Sequence, residues 1–182
     1  KLILIWDKLR EVMDSEEMIY FPQKLSADHG GQTKSEAAND RRICAFPGWS
    51  VGMVESQPIM AQKGQAQTLA GRKQLEIGLT ADEYLEIIRG EEYKGESGKT
   101  LEDFLMKFIA LLQNRNQISN DVSDNNAMWC LANYLKDGNA DMVTTGRWFR
   151  SVGRLRLDMH RTNDKECANS WGAATTVRLP GK

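Results

Sequence analysis

Arginine is concentrated in one stretch of the chain, Gly146-Arg147-Trp148-Phe149-Arg150-Ser151-Val152-Gly153-Arg154-Leu155-Arg156-Leu157-Asp158-Met159-His160-Arg161. Five of its side chains are arginine, none is lysine, and two adjacent aromatics stand between the first two arginines. The planar guanidinium fork meets a phosphate or carboxylate with two parallel hydrogen bonds, and it also stacks on flat rings. Arginines interleaved with aromatics are what a surface holding single-stranded nucleic acid tends to present. The residues expected to do this are Arg147, Trp148, Arg150, Arg154, Arg156 and Arg161. Phosphates would meet the guanidinium groups and a base would stack on an aromatic ring. The competing expectation is a half-buried strand with a solvated polar face, its arginines pairing with acids elsewhere in the chain.

Four other groups of residues invite a chemical reading. Ser97-Gly98-Lys99-Thr100 precedes a helix and has the ending of a phosphate-binding loop. The glycine such a loop needs five positions before Gly98 is Tyr93, so no nucleotide site is expected and Lys99→Ala should cost little stability. Glu91, Glu92 and Glu96 offer hard oxygen donors to a divalent cation, but their spacing fixes no ligand geometry. The histidines are His29 and His160. His160 stands seven residues before Cys167 with Asp158 and Asp164 nearby, looser than the paired spacing of a zinc site. A cysteine–histidine pair is formally available, and His29, in the polar Asp28-His29-Gly30-Gly31, is the favoured place for a reactive imidazole. Phe46 and Trp49 flank a Pro47-Gly48 turn and are expected to plug a gap between layers. No catalytic residue, metal or cofactor is predicted.

The elements that must position these residues follow from periodicity. Residues 2–14 carry apolar side chains at helical spacing, and 26–42 is a polar loop. Residues 43–54 form short extended pieces around the Pro47-Gly48 turn. Thr80-Ala81-Asp82-Glu83 is a capping box for a helix ending at Gly90. Thr100 caps a second helix with Leu101, Phe104, Leu105, Phe108, Ile109 and Leu112 on one face. A third helix is expected from near Ser123 or Asp124, turning Met128, Leu131 and Leu135 inward and stopping at Gly138. Residues 154–160 alternate as a strand does, and 175–179 is a further β-prone piece that could pair with them.

The chain has 182 residues, a length that predicts a single domain over 1–182. The expected fold class is α+β, with a mostly helical centre and short antiparallel strands from the N-terminal third and the C-terminal segment. Net charge is -1, which removes any bulk electrostatic attraction to nucleic acid and leaves only the local arginine cluster. Acids dominate from Glu76 to Asp103 and bases from Arg147 onward. That polarity permits self-association through complementary faces. Cys44, Cys130 and Cys167 are odd in number and far apart, which predicts an intracellular, reducing compartment. No apolar run approaches the ~20 residues of a membrane span. The expected function is non-catalytic binding of single-stranded nucleic acid, RNA in particular, or of another polyanion. The alternatives are a self-assembling structural subunit, of the kind a virus or phage uses, and a small hydrolase or nuclease acting through the acidic turn or His29.

Overall fold

Strands dominate the described residues, and the three longest follow residue 126. The computed structural model describes residues 8, 19–20, 51–54, 60–69, 71–115, 126–137, 140–149, 151 and 154–179. In chain order the elements are β1 (Ile19–Tyr20), β2 (Gly52–Val54), β3 (Thr68–Leu69), β4 (Arg72–Lys73), α1 (Ala81–Ile88), β5 (Glu96–Gly98), α2 (Leu101–Arg115), β6 (Met128–Asp137), β7 (Ala140–Phe149), β8 (Arg154–Arg161), α3 (Lys165–Ala168), β9 (Gly172–Ala173) and β10 (Thr175–Arg178). A five-stranded sheet runs β1-β8-β7-β6-β9, a three-stranded sheet β2-β10-β5, and β3 pairs with β4. The expected helix over 2–14, apart from helical Lys8, and the loop over 26–42 lie outside the described residues.

The expectation of a mostly helical centre is overturned: strand residues outnumber helical ones among the described residues. The third helix is instead strand β6. Met128, Trp129, Cys130 and Leu131 are all buried, so successive residues on both faces of this strand meet apolar neighbours. A strand covered on both faces carries a continuous apolar run, which periodicity does not distinguish from a buried helix. A register shift between Cys130 and Tyr134 further breaks the two-residue alternation. Nor are the strands uniformly short, since β6 and β7 span 10 residues each. Strand β10 forms where expected but pairs antiparallel with β2 and β5, not with β8.

Both earlier helices form as their caps predict. Glu83 N–H donates to Thr80 Oγ1 at 3.3 Å, and Thr80 N–H donates to Glu83 Oε2 at 2.7 Å. Asp103 N–H donates to Thr100 Oγ1 at 3.0 Å, and Thr100 N–H returns to Asp103 Oδ2 at 2.9 Å. These bonds satisfy amides that a helix start would otherwise leave open. The two helices cover opposite faces of the main sheet. Phe104 and Phe108 of α2 pack against Gly146 and Trp148, whose face alternation sets apart from Trp129, Leu131 and Val143. Those three join Ala81 and Tyr84 of α1 and Trp171 in a second apolar cluster. Among the described residues no helix is long and apolar enough to cross a membrane.

Lys99 and Thr100 sit where the three-stranded sheet meets the main one. Lys99 N–H donates to the Ala174 carbonyl at 3.2 Å, and Lys99 C=O accepts from Ala132 N–H at 3.1 Å. The lysine side chain is fully buried, and Tyr93 is also buried, its hydroxyl donating to the Lys73 carbonyl at 2.6 Å. Lys99 is thus part of the interior and not a hand reaching for phosphate. Its burial also corrects the expectation that Lys99→Ala is nearly silent, because removing a buried four-carbon stem leaves a cavity. Lys99→Ala should cost about 2 kcal/mol or more, against about 1 kcal/mol for loss of the Thr100 cap in Thr100→Ala. Urea titrations of the two variants check this order.

Candidate functional site

Strand geometry turns alternate side chains to opposite faces, and β8 obeys it. Leu155, Leu157 and Met159 are buried toward α2. The positions of Arg154, Arg156, Asp158 and His160 lie on the other face. Strand β7 runs antiparallel beside them, with Phe149 opposite Arg154, Arg147 opposite Arg156, Thr145 opposite Asp158 and Val143 opposite His160. Arg147 and Arg156 are therefore cross-strand neighbours, and Phe149 shares their face.

Of the expected binding residues, this face gathers Arg147 and Arg156 together with the position of Arg154. Trp148 points the opposite way, is 5% exposed and packs on Phe108 with ring centroids 5.7 Å apart. Arg161 falls on the Trp148 side of the sheet by alternation and is exposed at the end of β8. Arg150 lies outside the described residues. The aromatic that accompanies the arginines is Phe149, whose ring lies 4.2 Å below the Arg147 guanidinium carbon.

The Arg147 guanidinium also approaches the Trp171 ring, at 5.8 Å. Partial burial, and then the neighbouring Arg156 charge, depress its pKa below the ordinary arginine value. Arg156 Nη2 pairs with Asp158 Oδ2 at 2.7 Å. Burial pushes the Asp158 carboxyl up, but His160, the Met159 N–H and Arg156 outweigh it and hold the group below its usual value.

Beyond the arginines the face continues into a compact group around His160. The imidazole lies edge-on to Trp171, with ring centroids 4.6 Å apart. Its Nε2 faces Asp158 Oδ2 at 3.6 Å, and its Nδ1 faces Asp164 Oδ2 at 3.6 Å and Cys167 Sγ at 3.7 Å. Cys167 reaches this place because Asp164 starts the short helix α3. Asp164 Oδ1 accepts from the Glu166 N–H at 3.0 Å and the Cys167 N–H at 3.2 Å, which turns the chain back over His160. Burial, and then the adjacent Asp164 carboxylate, push the Cys167 thiol up to about 12. The clustering is not legible in the spacing of these residues. Its one local signal is Asp164-Lys165-Glu166-Cys167, a helix start that returns a sulfur toward the preceding strand.

No family model matches this chain, and no curated protein or solved structure matches it. What the face can do rests on its own geometry.

The remaining candidates disperse. Glu96 accepts from Arg72 Nε at 2.6 Å and from the Thr175 hydroxyl, Glu92 accepts from the Lys73 N–H at 2.6 Å, and Glu91 pairs with Lys94 at 3.4 Å. Three carboxylates that each answer a different donor do not converge on one cation. Phe46, Trp49, the turn between them, and His29 lie outside the described residues.

Proposed function

We propose that the β7–β8 face binds single-stranded nucleic acid, with RNA as the ligand of first choice, and does so without catalysis. The observation that carries this reading is the direct cross-strand placement of Arg147 and Arg156. Like charges set opposite each other on neighbouring strands destabilise a sheet. Among the described residues Arg147 meets two aromatic rings, and one carboxylate, Asp158, pairs with Arg156 and also acts on Arg147 from farther off. A phosphate seated between the guanidinium groups relieves that repulsion. Phe149 beside them supplies a flat surface for a base, and this stacking tolerates any sequence.

The test is binding of a short fluorescent single-stranded RNA across a range of salt concentrations. Arg147→Ala and Arg156→Ala should each weaken binding about tenfold. Together they should flatten the salt dependence by about 1.4 logarithmic units per decade, at about 0.7 for each single-strand phosphate left without its arginine. Arg161→Ala, on the opposite side of the sheet, should change little. Unaltered affinity and slope in the folded double variant would end the assignment.

Self-assembly through complementary acidic and basic faces has less support. Arg178 pairs with Asp103 and Arg72 with Glu96 inside the same chain, so part of the charge such an interface would use is already neutralised.

A further inference from the structure

We propose that His160, Asp164 and Cys167 form a binding site for a zinc-class transition-metal ion, with the fourth coordination position open. The inference is independent of nucleic-acid binding. In tetrahedral coordination, zinc holds imidazole nitrogen at about 2.0 Å, carboxylate oxygen at about 2.1 Å and thiolate sulfur at about 2.3 Å. Those bond lengths place nitrogen and sulfur about 3.5 Å apart, and nitrogen and oxygen about 3.4 Å apart. The observed separations from His160 Nδ1 are 3.7 Å to Cys167 Sγ and 3.6 Å to Asp164 Oδ2. All three donor atoms lie within 4.8 Å of one another. The two separations from His160 are thus within a few tenths of an ångström of those around a bound ion.

The donor set selects the metal. Magnesium and calcium take oxygen ligands, whereas one imidazole, one thiolate and one carboxylate suit zinc, cobalt and their neighbours. Three protein ligands leave one tetrahedral position for water or another small ligand.

The surroundings are arranged as a metal-bound histidine needs. A ligating imidazole uses one nitrogen for the metal and offers the other N–H to an acceptor, most often a carboxylate. His160 turns Nδ1 toward the other two ligands and Nε2 toward Asp158. Asp158 is itself held by Arg156 and by the Met159 N–H, the latter at 2.9 Å. Asp164 uses Oδ1 to cap α3, which leaves Oδ2 directed at the site. Trp171 supplies one apolar wall against the imidazole. His160, Asp164 and Cys167 are each partly exposed, so an ion can enter from solvent.

Cobalt(II) reports both geometry and ligand type. The full chain, stripped with a chelator, should take up one equivalent of cobalt, giving intense tetrahedral d–d absorption and a thiolate-to-cobalt charge-transfer band that zinc abolishes by displacement. Cys167→Ser should remove the charge-transfer band, while Cys44→Ser should leave it unchanged. Asp164→Asn keeps a capping oxygen for α3 and should weaken affinity at least tenfold with the metal-free melting temperature preserved. Asp158→Asn should weaken it by about tenfold through the orientation of His160. Absence of a tetrahedral cobalt spectrum in the folded wild-type chain would overturn the proposal. So would a charge-transfer band that survives Cys167→Ser or disappears in Cys44→Ser.

Discussion

Gly146→Ala should destabilise the protein by about 3 kcal/mol, the upper part of the usual cost of overpacking a core. A β-carbon at this position would lie 2.3, 2.5 and 2.8 Å from three carbons of the Phe104 ring. Those atoms belong to a rigid ring on α2 that is itself nearly fully buried, so no flexible side-chain end can swing aside. Gly146 sits in mid-sheet, opposite Met128 on one neighbour and Leu157 on the other. Either α2 lifts from the sheet or β7 moves against two hydrogen-bonded partners. For a chain of this size the melting temperature should fall by roughly 6–12 °C. Phe104→Leu in the same background should recover part of the loss, because the two sites are in contact and their effects cannot add. A Gly146→Ala variant within 0.5 kcal/mol of wild type, about the size of an ordinary surface change, would mean that α2 does not pack on this face.

The adjacent aromatics Trp148 and Phe149 should divide stability and binding between them. Trp148→Ala empties a buried position against Phe108 and should cost about 4 kcal/mol. Phe149→Ala removes a partly exposed ring and should cost less than about 1 kcal/mol. For RNA the order should reverse. Phe149→Ala should weaken binding about tenfold, the lower part of the range for removal of one base stack. Trp148→Phe, which keeps an aromatic ring in the core, should leave affinity unchanged. Chemical denaturation and the fluorescent RNA titration, run on the same preparations, read both halves. A loss of affinity in Trp148→Phe without one in Phe149→Ala would place the ligand on the wrong side of the sheet.

That division could not be assigned from the sequence, because Trp148 and Phe149 are adjacent and a strand sends neighbours to opposite faces. Alternation within β7 keeps Phe149 with Arg147, but whether Arg156 joins them depends on how β7 is registered against β8. A slip of one residue exchanges the two faces of a strand. The pairing of Arg147 with Arg156 belongs to the same category. The arginine-rich composition was visible, but the segregation of Arg161 from Arg147 and Arg156 was not. The His160 group shows a related effect over a shorter span. His160, Asp164 and Cys167 are only seven residues apart end to end, yet they meet because β8 ends and α3 doubles back.

Local rules determined what could be decided by a few neighbouring residues. Thr80 with Glu83, and Thr100 with Asp103, set two helix starts because the capping bonds close within a single turn. The alternation from Arg154 to His160 set a strand and its buried side because one face must exclude water. Tertiary structure decided the rest, where the deciding atoms are distant in the chain. Met128 to Leu131 form a strand because both faces of the run are covered, a fact held by α1 and α2 rather than by the run itself. Lys99 is interior because the Ala132 and Ala174 segments close around its backbone from two sides. Strand β10 chose β2 and β5 over β8, whose two edges are taken by β1 and β7. A strand has only two hydrogen-bonding edges, and which partners occupy them is settled by the whole chain at once.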